Sequence, residues 1–153
     1  MLRTLITPGA LGEIVARLRA VRPDDARRWG RMSAPQMICH VADTYRLFLD
    51  DRPLTLWAGP VRRAVVRILG LHLPLHWPHG VPTRADIDPL RAGTRPGDFA
   101  ADVESAVHLA ERFATSRPRA LGRAHPIFGA LTDREWQRWG YLHPDHHLRQ
   151  FGR

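Results

Sequence analysis

Proline and glycine divide this chain into segments whose apolar residues recur at helical spacing, and no segment alternates as a strand would. The first segment opens with Thr7 as the expected N-cap and Pro8 at the first helical position, where a missing N–H costs nothing. Leu11, Ile14, Val15 and Leu18 then line one face of a helix ending near Arg22-Pro23. Ser33 and Gln36 form a capping box for a second helix, in which Met37, Val41, Thr44 or Tyr45, and Phe48 run inward to about Asp50. A short stretch from Pro60 to Leu69 carries Val61, Ala64, Val65 and Ile68. Asp98 caps a third long helix with Phe99, Val103, Ala106, Val107, Ala110 and Phe113 on its inner face. Thr132 and Glu135 form another capping box, opening a last helix that reaches about Gln150.

Between these elements, Leu71 to Gly97 is rich in Pro, Gly and His, and reads as one long irregular connection. Connections of that length inside a compact domain are often functional. Arg117 to Ala130 reads as a second, Pro/Gly-containing connection. Four long helices with one long crossover predict an all-α fold, a four-helix bundle, formed by residues 1–153 as a single domain.

Composition narrows the function. With 44% hydrophobic and 25% charged residues, the chain has the make-up of a soluble globular protein. The lone Cys39 excludes an internal disulfide. Arg62, Arg63, Arg67 and prolines interrupt the longest apolar stretch, so no membrane span is expected. With no secretory leader evident in Met1 to Gly12, the expected location is cytoplasmic. The formal charge of +8 is carried by 23 arginines without a single lysine, scattered along the chain. Clusters such as Arg27-Arg28 with Arg31, and Arg62-Arg63 with Arg67, suit nucleic acid or an acidic partner. A solvated arginine-rich surface is the better reading of them, and a nucleic-acid partner is not expected.

The nine histidines are more specific. His143 and His147 stand four apart on the last helix, so their imidazoles share a face and can share one ion. The same pair also suits an ordinary position near the negative end of a helix dipole. A third ligand must come from another helix, and His40, beside Ile38 and Val41, is the candidate, although a core histidine with satisfied nitrogens also fits there. Three imidazoles leave an open position on the ion, the layout of a catalytic site. Gln36, Asp43 and Gln150 are placed by spacing to hold the imidazoles from behind, with a capping role the better reading of Gln36. His146 points about 100° away from His147. His125 suits a structural role beside Pro126, and Pro74 and Pro78 break any regular spacing among His72, His76 and His79. Cys39 and His40 are adjacent on a helix and face different directions, which argues against a Cys–His dyad.

Three segments carry a family resemblance. His125 to Trp136 (HPIFGALTDREW) and His143 to Gly152 (HPDHHLRQFG) resemble the C-terminal signature of an uncharacterised subfamily of DinB/YfiT-like proteins. Trp29 to His40 (WGRMSAPQMICH) resembles that subfamily's second-helix motif, while residues 52–97 match nothing in it. The resemblance implies a four-helix bundle binding a divalent metal, zinc or nickel, through one histidine of the second helix and two of the last. Carried over, these are His40, His143 and His147. It further implies a metal-dependent enzyme, a transferase or isomerase acting with a low-molecular-weight thiol. Water activation for hydrolysis uses the same ligands. In that reading Trp57 and Trp77 help wall a small-molecule pocket, and a homodimer is a plausible assembly. Pro144, following His143 inside the helix, departs from the pattern. Either the helix kinks at Gly140 or it restarts near His143. The competing class is a non-catalytic basic binding module with a vestigial metal site.

Overall fold

The computed structural model describes residues 2–50, 54, 56, 59–116 and 123–153. Trp57 therefore lies outside the described residues. Five helices follow in order: α1 (Ala10–Arg19), α2 (Ala34–Leu49), α3 (Pro60–Arg67), α4 (Phe99–Thr115) and α5 (Asp133–Gln150). A π-helical turn, Ile68–His72, continues α3, and a 3-10 turn spans Ala85–Ile87. The chain is thus mostly helical. The second connection, read as irregular, contains one small antiparallel ladder of β1 (Ala124–His125) and β2 (Gly129–Ala130). Two-residue strands are too short to leave an alternating pattern.

Both capping boxes form. Ser33 accepts from Gln36 N while the Gln36 side chain accepts from Ser33 N, and Thr132 and Glu135 do the same for α5. Gln36 is thereby committed to the cap and takes no part in holding a histidine. Asp98 caps α4 by accepting from Ala101 N. The start of α1 differs from expectation. Thr7 Oγ1 instead accepts from Thr4 N at 2.9 Å, and the helix begins after Gly9, whose φ of 78° closes the preceding turn.

Helix α2 is buried nearly all round and packs against both α4 and α5, while α1 lies across α4 and α5. Trp136, Trp139, Tyr45, Phe48 and Phe113 form the centre of the core, all at or below 2% exposure. Burying aromatic side chains of this size supplies a large share of the hydrophobic stabilisation. Gln137 tightens the contact by donating from Nε2 to the carbonyls of Phe113, Ala114 and Ser116 at the end of α4, where helical donors run out.

The last helix runs unbroken through Pro144, so of the two alternatives the restart near His143 does not occur. Pro144 has no N–H to give the Gly140 carbonyl, and the Tyr45 hydroxyl of α2 supplies the missing donor at 2.6 Å. A side chain at Gly140 would crowd Leu5 and Phe113, each 2.8 Å from where a Cβ would stand. The glycine therefore allows α5 to approach the core at the turn where its backbone pattern changes.

Candidate metal centre

His40 projects from α2 toward α5, where His143 and His147 stand one turn apart. The His40 ring centroid is 5.1 Å from that of His143 and 4.7 Å from that of His147, and the latter two are 4.8 Å apart. One potential ligand nitrogen from each lies within 4.8 Å of the others, and this is the group among the described residues arranged to hold an ion. Two nitrogens each 2.0–2.1 Å from one zinc ion stand at most about 4.2 Å apart. Small side-chain adjustments therefore suffice to bring the three to a common ion.

Two of the three have their protons assigned by partners behind the ring. His40 Nδ1 lies 2.7 Å from the Ile87 carbonyl, an acceptor, so Nδ1 carries the hydrogen and Nε2 a lone pair. His147 Nδ1 lies 3.1 Å from Gln150 Oε1. Gln150 donates from Nε2 to the Trp29 carbonyl at 2.6 Å, which fixes its oxygen toward His147 and leaves a lone pair on His147 Nε2. His143 is held by stacking on Trp139, with ring centroids 5.3 Å apart and planes 24° from parallel. Its Nδ1 is buried without a partner. No hydrogen bond reaches Nε2 of any of the three among the described residues.

Burial lowers the pKa of His40, against the opposing pull of the Ile87 carbonyl. It holds His143 and His147 well below the ordinary histidine value, with the neighbouring imidazoles adding to the effect. All three are neutral at physiological pH, the state a metal ligand requires.

The group opens onto a cavity of about 440 Å³, within the range of small-molecule sites. Its walls are mainly apolar and include Phe48, Val66, Leu69, Trp77, Ile127 and Phe128. Part of the long connection closes one side, so that segment does border the site, and Trp77 is anchored there by donating to the Gly70 carbonyl at 2.8 Å.

Gln150 supports a histidine as its spacing implied, but Asp43 does not. Asp43 accepts from Thr94 N and Oγ1 and pairs with Arg46, tying the end of the long connection to α2. The support for His40 is a backbone carbonyl, which leaves no mark on the sequence. His146 stays outside the group, packed between Trp29 and Trp77. His72, His76 and His79 are not gathered: His72 bonds Glu135, His79 stacks on Trp29, and His76 is exposed at the cavity rim. Cys39 is buried toward Asp102 of α4, away from α5, and burial pushes its thiol up to about 12, so no Cys–His dyad forms.

Many arginines are bound within the fold. Arg17 bonds Asp145, Arg153 pairs with Asp25, Arg67 donates to the Ala130 carbonyl, and Arg27 donates to the Gly30 carbonyl. No helix among the described residues is long and apolar enough to cross a membrane. No family model matches the chain, and no curated protein or solved structure does either.

Proposed function

We propose that His40, His143 and His147 hold one divalent ion, zinc or nickel, in a DinB-like four-helix bundle, and that the protein is a metal-dependent enzyme acting on a small molecule. The carrying observation is the pair of assigned tautomers. His40 and His147 each spend their N–H on an acceptor behind the ring, so the nitrogen left over on each is a lone pair, and the two rings stand 4.7 Å apart by centroid. Converging lone pairs are unfavourable unless a cation or a donor lies among them. A bound ion would satisfy them and, with three neutral ligands, would keep its positive charge.

Such an ion lowers the pKa of a coordinated thiol or water toward neutrality. The chain's own part is then positional. Ile87 and Gln150 hold two imidazoles in the ligating tautomer, Trp139 orients the third, and the apolar cavity excludes bulk water beside them. A low-molecular-weight thiol as co-substrate fits this arrangement, as the family resemblance suggests, and hydrolysis uses the same groups.

Elemental analysis of the untagged protein tests the assignment. About one divalent ion per chain is expected, falling to background in His143→Ala, and equal content in the two proteins sinks it. Binding to DNA that falls steeply with salt and survives His40→Ala would instead mark a basic binding module.

A further inference from the structure

His125, the histidine read as structural, is held in one tautomer. Its Nδ1 accepts from the backbone N–H of both Ile127 and Phe128, at 3.1 and 3.3 Å. Backbone N–H groups can only donate, so Nδ1 must be the lone-pair nitrogen and the hydrogen must sit on Nε2. The ring is clamped by Phe48, stacked at 5.1 Å and 20°, and by Phe128 and Trp139 at 4.6 and 5.4 Å. His125 lines the same cavity as the three-histidine group, and its Nε2–H has no partner among the described residues. The polarity is therefore opposite to that of His40 and His147: those present lone pairs, and His125 presents a donor.

Several other polar side chains around the cavity are already engaged or wet. Thr44 Oγ1 donates to the His40 carbonyl at 2.7 Å, and Arg84 is paired with Asp86. His76 is exposed, and Thr83 is half-buried. Apart from an ion held by the three histidines, the walls offer an anionic ligand only the paired Arg84, whereas a neutral acceptor needs only one N–H.

We propose that His125 is the fixed hydrogen-bond donor of this cavity, and that the cavity takes a neutral, largely apolar molecule whose carbonyl oxygen lies against its Nε2–H. This rests on the cavity's being the substrate chamber of the three-histidine site. The donor orients the carbonyl compound by its oxygen and polarises it.

Two probes of one shape test this: acetophenone, and α-methylstyrene, which replaces the carbonyl by a carbon–carbon double bond. Calorimetric titration of the full chain as purified should show the ketone binding about threefold to tenfold more tightly, the worth of one neutral hydrogen bond. Its bound carbonyl stretch should fall below that in hydrocarbon solvent. In His125→Asn the amide oxygen can still accept at the Nδ1 position, but the Nε2–H is gone. The preference should vanish there, while α-methylstyrene binding stays within about twofold. His125→Gln, which places an N–H near Nε2, should restore the preference. Equal binding of the two probes by the wild-type protein, or an unshifted carbonyl stretch, overturns the proposal even if neither variant folds. So does a preference that persists in His125→Asn. His40→Ala separates this from the metal reading: the ketone preference should survive there, and its loss would assign the carbonyl to the ion instead. Failure of the metal reading shows in ion content alone.

Discussion

At the scale of single residues, the chemistry is decided by which ring nitrogen carries the proton. Three imidazoles around one cavity have that choice made for them: acceptors behind His40 and His147 turn lone pairs forward, and donors behind His125 turn an N–H forward. The link in this arrangement most directly tested is Gln150, itself buried. It is held by the Trp29 carbonyl, and any side chain at Gly30, whose φ is 82°, would overlap its amide nitrogen. Gln150→Ala leaves all three ligands in place but releases the His147 tautomer. Its affinity for zinc, measured against a chromophoric chelator, should fall about 10–100-fold, the usual cost of losing such support. Unchanged affinity would show that Gln150 merely packs. The i+3 spacing of Gln150 from His147 made this contact legible in the sequence. The equivalent support for His40 was not, because a backbone carbonyl at Ile87 can belong to any residue type, and Asp43, the candidate by spacing, is spent on Thr94 and Arg46.

At the scale of elements, α5 carries the site, and its continuity through Pro144 depends on α2. The proline leaves the Gly140 carbonyl without its helical donor, and Tyr45, fully buried, fills the gap. Tyr45→Phe should cost about 1–3 kcal/mol of stability, since it strands a buried acceptor. In a Pro144→Ala background, where residue 144 again has an N–H, the same substitution should cost clearly less. A double-mutant cycle by urea denaturation measures the coupling, and additive effects would refute the compensation. The helix boundaries that rest on local chemistry were legible. The Ser33–Gln36 and Thr132–Glu135 boxes and the Asp98 cap all form, because each satisfies orphan N–H groups within four residues. The start of α1 was not, because Thr7 is drawn into a turn with Thr4 and Gly9 takes the boundary through its positive φ.

At the scale of the whole molecule, four histidines (His40, His125, His143 and His147) are buried in the neutral form, and stability must therefore depend on pH. Burial lowers all four, and it takes His125 to about 3. Unfolded histidines titrate near 6.5. Between that value and the lower folded values, the unfolded chain binds more protons than the folded one. The contribution is thus complete above about pH 6.5 and is lost progressively as the pH falls toward the folded pKa values. His125 alone contributes a slope of about 1.4 kcal/mol per pH unit within that window. Urea unfolding of metal-free protein should show stability falling from about pH 6.5 downward, before the carboxylates titrate. A flat profile between about pH 7 and pH 5 would contradict the neutral burial of these groups.

The sequence by itself determined the helices, most of their ends, and which faces turn inward. Those properties follow from side chains within a few turns of one another. It also singled out His40, His143 and His147, because i, i+4 spacing and an apolar helix face are local facts. Only the tertiary structure decided what each imidazole presents to the cavity. Tautomers are set by partners far along the chain: Ile87 for His40, and Trp29, through Gln150, for His147. Folding also converted His125 from a loop histidine into an oriented donor. Its two backbone partners are close in sequence, but the aromatic side chains that clamp it and the cavity it faces come from α2, α5 and the long connection. No local pattern encodes that meeting, because the side chains that build it come together only when the helices pack.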